Sequence, residues 1–208
     1  MMPAEKTYAN NIAVILLAAG ESSRLSTSKQ MLLYDGRTLL QHSLHIAMAS
    51  GAHPIVVVLG AHADTIKREV ESNTAHVVIN EEWQEGIASS IRHGIKTLLR
   101  INPFAEGAVM MLCDQPYVTS TLLSNLMMTY REKGKLIVAC NYGSTFGPPV
   151  LFHKTMFPEL LQLRGDVGAK DLISQHANDV EFVSFPEGNI DIDTEADYQK
   201  LLKGNPKP

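Results

Sequence analysis

What this chain of 208 residues lacks narrows its nature before anything it contains. It has two cysteines, Cys113 and Cys140, both in or beside apolar runs, so buried free thiols are expected rather than a disulfide scaffold. No stretch approaches the roughly 20 apolar residues of a membrane span. The opening Met1-Met2-Pro3-Ala4-Glu5-Lys6 has neither region of a signal peptide, which makes the cytoplasm the expected location. Basic residues are in no excess, with 18 Lys and Arg against 22 Asp and Glu. A net charge of −4 leaves no electrostatic footprint for nucleic acid or an anionic membrane. An anionic ligand would need a local positive cluster with help from a metal. Internal repeats, low-complexity segments and a Ser-His-Asp nucleophile elbow are also missing. His42 and His45 share a helix face without a third ligand in view, so packing or surface histidines are expected rather than zinc.

What is present has an ordinary globular balance, 45% apolar and 19% charged, in a length that suits one domain with a real core. Short apolar runs at Ile12–Leu17, Ile55–Leu59, His76–Ile79, Ala108–Cys113 and Leu136–Cys140 read as strands. They are continuous rather than alternating, the pattern of a parallel sheet covered on both faces. Between them, Thr38–Ser50, Asp64–Ser72, Ala88–Arg100 and Thr119–Glu132 carry helical spacing, with Leu40, Leu44 and Ala47 on one face. Thr119 and Ser120 offer an N-cap, and Met110, Met111, Met127 and Met128 suit packing. The fold class predicted is α/β: a Rossmann-like, doubly wound, mainly parallel sheet with helices on both faces. Beyond Tyr142 the pattern changes. Gly147–Phe152 reads as a turn entering a short strand, Phe157–Leu163 and Asp166–His176 as helices, and Glu181–Phe185 and Ile190–Asp193 as strands. Thr194–Leu202 closes the series as a helix whose Thr-Glu-Ala-Asp start resembles a capping box.

In such sheets ligands collect at the carboxyl ends of strands near a switch in strand order. Two features fall there. The loop Ala18–Lys29 follows the first strand, with Gly20, Ser22, Ser23, Ser26, Thr27 and Ser28 as small residues and Arg24 and Lys29 as positive groups. Small residues let backbone N–H groups approach a polyphosphate, and Arg24 and Lys29 supply charge. A solvated turn has the same composition, and the loop fits neither a Walker A motif nor a dinucleotide fingerprint. Asp114 ends an apolar strand, and Thr119 and Ser120 are better placed than it to cap the next helix. It is therefore a candidate for Mg²⁺, which takes one or two carboxylates plus substrate phosphates. Asp191 and Asp193 are spaced to share a strand face; Asp197 can cap, which frees Asp193 for metal.

Leu17-Ala18-Ala19-Gly20-x-Ser22-x-Arg24 followed by Lys29-Gln30-x-Leu32-Leu33 resembles the signature of the MobA-like NTP transferases, nearest to the molybdenum cofactor cytidylyltransferase branch. Further matches follow in family order: Asn80-Glu81-Glu82-Trp83-x-x-Gly86-Ile87-Ala88-Ser89-Ser90-Ile91-Arg92, Leu112–Pro116, Gly147-x-Pro149-Val150-x-Phe152, Gly165-Asp166-x-Gly168-Ala169-Lys170, and Asp191-Ile192-Asp193-Thr194-x-x-Asp197-Tyr198. The resemblance implies a nucleotide-diphospho-sugar transferase-like fold in a single domain over residues 1–208. Its nucleotide-binding part would span about 11–140 and its acceptor part about 141–203. It implies that Leu17, Ala18, Ala19 and Gly20 line the nucleotide, with Arg24 and Lys29 on its phosphates. Asn80, Gly86 and Ser89 would border base and ribose, and Asp114 and Asp193 would hold Mg²⁺. Gly147, Pro149, Gly165, Asp166 and Lys170 would face the acceptor. The implied reaction passes CMP from CTP to the terminal phosphate of a molybdopterin-type cofactor and releases pyrophosphate; a molybdoenzyme would receive the product. Other phosphorylated acceptors, such as a sugar phosphate or an isoprenoid alcohol phosphate, and a non-catalytic accessory role are the alternatives. Ala19, where the guanylyl branch carries Gly, points to CTP over GTP. Ser26 departs from the family's Gly, and a negative φ is expected there.

Overall fold

The computed structural model describes residues 11–22, 25, 27–70 and 74–204. In chain order the elements are β1 (Ile12–Ala18), the hairpin β2 (Leu33–Tyr34) and β3 (Arg37–Thr38), α1 (Leu39–Ala49), β4 (Ile55–Leu59), α2 (Ala63–Ile66), β5 (His76–Ile79) and α3 (Ile87–Ile101). There follow β6 (Gly107–Leu112), α4 (Ser120–Lys133), β7 (Ile137–Asn141), β8 (Phe146–His153), α5 (Phe157–Leu160), α6 (Ala169–Gln175), β9 (Val180–Ser184) and α7 (Glu195–Leu202). Seven strands form one sheet in the order β5-β4-β1-β6-β8-β7-β9. β1 is parallel to β4 and β6, β4 to β5, and β7 to β9. Only β8 runs against its neighbours. The sheet is the mainly parallel one expected of the sequence.

The unbroken apolar runs have a simple cause. Every residue of β1 and β4 is buried, because alternate side chains enter two separate core layers. Ile12, Val14 and Leu16 join Leu40, Leu44 and Ala47 of α1 and Leu123, Leu126 and Met127 of α4. Ala13, Ile15 and Leu17 join Ala88, Ile91, Ile95 and Leu98 of α3 and Leu172 and Ile173 of α6. Helices thus cover both faces, which is the doubly wound arrangement. Cys113 and Cys140 are buried free thiols, and burial pushes both up to about 12. Among the described residues no helix is long and apolar enough to cross a membrane.

Several elements differ from the sequence reading. Ile190–Asp193 forms no strand; it crosses the end of the sheet, held by the Ile192 N–H donating to the Asp114 carbonyl at 3.0 Å and by the fully buried Ile192 side chain. The Gly-Pro-Pro stretch does not precede a strand but lies within eight-residue β8. There the pairing with β7 slips between Ala139 and Cys140, so the prolines sit at an irregularity where missing N–H donors cost little. The expected helix Asp64–Ser72 is the short α2 and a 3₁₀ turn at Lys67–Glu69, with Ser72 outside the described residues. The expected helix Phe157–Leu163 ends at Leu160, and the one expected from Asp166 begins at Ala169. The β2–β3 hairpin, absent from the reading, turns on Asp35-Gly36 with φ of 51° and 74°, the chemistry of a tight primed turn. The Thr194–Asp197 capping box is formed, and a second joins Thr38 to Gln41.

Two contacts of α3 lend themselves to measurement. A Cβ on Gly94 would lie 2.4 Å from Ile15 Cγ2, so the helix sits on β1 more closely than alanine allows. Alanine would gain about 1 kcal/mol of helix propensity, whereas overpacking a filled core costs about 1–3 kcal/mol. Gly94→Ala should therefore show a net loss of about 1 kcal/mol in urea unfolding, and the loss should shrink when combined with Ile15→Ala. The buried Arg92 donates to Glu85 through both terminal nitrogens, Nη1 and Nη2, and from Nη1 to the Leu163 carbonyl at 2.7 Å. That hydrogen-bonded guanidinium holds the Glu85 carboxyl down at about 2, from an ordinary 4.5. Its stabilisation is complete above pH 4.5 and is lost as pH falls toward 2. Glu85→Gln should flatten that part of the melting-temperature profile against pH while leaving the slope at higher pH unchanged.

Candidate functional site

The chain builds β4 and β5 on one side of β1 and then crosses to β6 on the other. This is the switch point at which parallel sheets open a crevice. Because β1 and β6 are adjacent and in register, their carboxyl ends deliver Ala18–Ser22 and Cys113–Asp114 to one rim. A cavity of about 350 Å³ opens there. Of the residues singled out from the sequence, Leu17, Ala18, Ala19, Gly20, Lys29, Gly86, Asp114 and Asp166 line it. Glu21, Gln30, Trp83, Gln84, Ile87 and Ser90 also line it and had been given no role.

The first loop is shaped by a side chain that the sequence reading passed over. Gln30 is fully buried, and its Nε2 donates to the carbonyls of Ala18 at 3.0 Å and Gly20 at 2.9 Å. Its place directly after Lys29 in the matched motif was the only signal. Ser22 adopts φ of 62°, and its hydroxyl accepts the Lys29 N–H at 2.9 Å. A left-handed non-glycine turn therefore sits at Ser22. Arg24 and Ser26, singled out from the sequence, lie outside the described residues.

Across the rim, the Lys29 ammonium donates to Asp114 Oδ2 at 2.6 Å and to Asp193 Oδ1 at 3.0 Å. The backbone bond from Ile192 to Asp114 carries Asp193 to this place. Burial opposes the charge on Lys29, but the two carboxylates outweigh it and hold its pKa above the usual lysine range. Burial pushes the Asp191 carboxyl up, and the nearby charges of Asp114 and Asp193 add to the effect. Asp114 Oδ1 is buried with no hydrogen-bond partner among the described residues. Those residues contain no group of three or more His, Cys, Asp or Glu able to hold a metal unaided. Two oxygen-bearing carboxylates, one with an orphaned buried oxygen, fit instead a hard cation that shares its coordination with phosphates.

The remaining sequence candidates divide between wall and periphery. Gly86 has φ of 115°, and a Cβ there would come within 2.3 Å of Asp166 Oδ1 and 2.5 Å of the Gly165 carbonyl oxygen. Only glycine permits the 165–166 loop to close on this corner. Asn80 is fully buried and donates to Ser89 Oγ at 2.8 Å and Ser90 Oγ at 3.0 Å. Asn80 and Ser89 thus stand behind the wall, and Ser90 forms it. Gly147 packs on the Tyr142 ring, and Pro149 is buried. Lys170 donates to Thr145 Oγ1 at 2.8 Å and lies 5.6 Å from the Phe146 ring centre. These three, with Gly165, lie outside the cavity lining. His42 pairs with the Pro116 carbonyl at 3.1 Å, a packing role.

Comparison with known proteins agrees with this architecture. The chain is 28% identical over 199 residues to the nicotine blue oxidoreductase of Paenarthrobacter nicotinovorans, covering 90% of this chain and 95% of that one. It is 27% identical over 204 residues to the purine catabolism protein PucB of Bacillus subtilis (strain 168), covering 91% and 95%. The crystal structure of Rv0371c from Mycobacterium tuberculosis H37Rv superposes with a TM-score of 0.80 at 33% identity, covering 94% of this chain and 99% of that one. The same mycobacterial protein in complex with manganese gives a TM-score of 0.77 at 31% identity, covering 92% and 98%. A family model described as the MobA-like NTP transferase domain matches residues 14–180. With a match over most of its length, a mainly parallel sheet and a cavity at the strand switch, the chain belongs to the MobA-like NTP transferase family.

Proposed function

We propose that this protein transfers CMP from CTP to the terminal phosphate of a molybdopterin-type cofactor, releasing pyrophosphate. The observation that carries the reading is the union of Lys29, Asp114 and Asp193 at the rim of a cavity walled by Leu17–Gly20. In this reading the whole chain acts as one domain of the cytoplasm. Residues 11–140 handle the nucleotide and residues 141–203 the acceptor. Leu17, Ala18, Ala19, Gly20 and Gly86 border the nucleotide, while Asn80 and Ser89 support that wall through Ser90. Lys29, with Arg24, offsets phosphate charge. Asp114 and Asp193 would hold Mg²⁺, which supplies further neutralisation of the triphosphate when bound. Gly147, Pro149, Gly165, Asp166 and Lys170 form the acceptor side, and Asp166 is the member that reaches the cavity.

The chemistry asks little of the protein beyond placement. An acceptor phosphate oxygen forms a bond to the α-phosphorus of CTP as the bond to the bridging α–β oxygen breaks, and pyrophosphate carries away the electron pair. The attacking oxygen is already anionic, so no general base is needed. Alignment of two anions and neutralisation of their charge are the whole task. A second reading draws on one observation, that a relative matching 90% of this chain is named an oxidoreductase. The cavity would then hold a nucleotide as a redox cofactor, and no pyrophosphate would appear.

Pyrophosphate release from CTP with purified molybdenum cofactor tests the reading directly; release only with a sugar phosphate, or with no acceptor tried, would overturn it. Asp114→Asn should lower turnover by roughly 100-fold or more, with little change in the circular dichroism of the folded protein. CTP should be preferred to GTP by about tenfold, since one methyl group on Ala19 narrows the wall only modestly. Equal or faster turnover with GTP under matched conditions rejects the cytidylyl assignment.

A further inference from the structure

Lys29 belongs to both halves of the proposed site. It lines the cavity beside Gly20, yet its ammonium lies between Asp114 and Asp193. A position flanked by two carboxylates is where a hard divalent cation would be held. The ammonium fills it incompletely, because it satisfies Asp114 Oδ2 and leaves Oδ1 buried without a hydrogen-bond partner among the described residues. Beneath it the backbone is clamped by the Lys29 N–H bond to Ser22 Oγ and by the two carbonyl bonds of neighbouring Gln30. Any movement of the charge is therefore confined to the four-carbon stem, which is flexible enough for it.

The charge balance then decides what can enter. The ammonium offsets only part of the carboxylate charge of Asp114 and Asp193, with the Asp191 carboxyl close by, in a spot where the three paired side chains are only 15–32% exposed. A divalent cation arriving alone meets a position that is already taken. A triphosphate arriving alone meets carboxylates that repel it. Arriving together, they offer the ammonium a new anion and the carboxylates a new cation. We propose that Lys29 is a resident counter-cation at the Asp114–Asp193 pair, released to the triphosphate, so that divalent metal and nucleotide bind as a coupled pair. This rests on the reading of Asp114 and Asp193 as the metal-holding residues.

The test is Mn²⁺ binding to nucleotide-free protein, followed by the electron paramagnetic resonance signal of the free ion. Wild type should bind Mn²⁺ weakly, and a non-hydrolysable CTP analogue should tighten it, in the range of roughly 5–150-fold typical of coupled sites. Lys29→Met and Lys29→Gln should each bind Mn²⁺ at least about tenfold more tightly than wild type without nucleotide, having lost a neighbouring positive charge. Lys29→Arg, which keeps that charge, should stay weak. Thermal melts confirm that each variant compared is folded. If both neutral variants bind Mn²⁺ no better than wild type while Asp114→Asn abolishes binding, the counter-cation role is overturned and the metal reading stands. If Asp114→Asn binds Mn²⁺ as wild type does, the metal lies elsewhere and both fall.

Discussion

Parallel pairing of β1 with β6 is the constraint on which the rest of this molecule depends. β1 is an interior strand with β4 on its other side, and its seven residues are buried in two opposed layers. The pairing sets the height of both strands, so that the loop after Ala18 and the turn at Asp114 end at one level. Had β6 paired elsewhere, Lys29 and Asp114 would have no reason to meet. The tight seat of α3 on Ile15 at Gly94 serves the same end, since α3 begins at the Gly86 corner of the cavity.

On this frame the site is organised around a charge problem. In a chain of net negative charge, the described part of the rim concentrates charge of both signs, with Lys29 within reach of both carboxylates. Gln30 keeps the loop in shape by turning two carbonyls toward itself. Such amide-to-backbone bonds are costly to break when buried, which holds the loop in one form at the cavity rim. The wall opposite is stiffened in the same manner, by Asn80 bridging two serines and by Arg92 fastened to Glu85 and Leu163.

Elements whose cause is local were legible in advance. The strands with continuous apolar runs, the long helices with one apolar face and the Thr194 capping box all depend on residues near in sequence, and all appear close to where they were expected. The failures were those of long-range cause. Ile190–Asp193 has the alternation of a strand, yet Ile192 spends its buried side chain on the end of the sheet and its N–H on the Asp114 carbonyl. The prolines of β8 read as a turn because nothing in their own neighbourhood discloses the slipped pairing with β7. Asp35-Gly36 is the exception, a local turn signal that was present and missed.

Taken alone, the sequence determined the α/β class, the order of most elements and the family motifs that drew attention to Lys29, Asp114 and Asp193. These follow from hydrophobic periodicity and from short patterns, whose causes span a few residues. Only the tertiary structure decided which of the motif residues face the cavity. It put Asp166 at the wall and Lys170 on Phe146, and set Asn80 and Ser89 behind Ser90. It also decided that one ammonium would join carboxylates separated by 164 positions from Lys29 in one case and 85 in the other. The physical reason is that a side chain's direction and partners are set by packing between distant segments, and a pattern along the chain carries no record of that geometry.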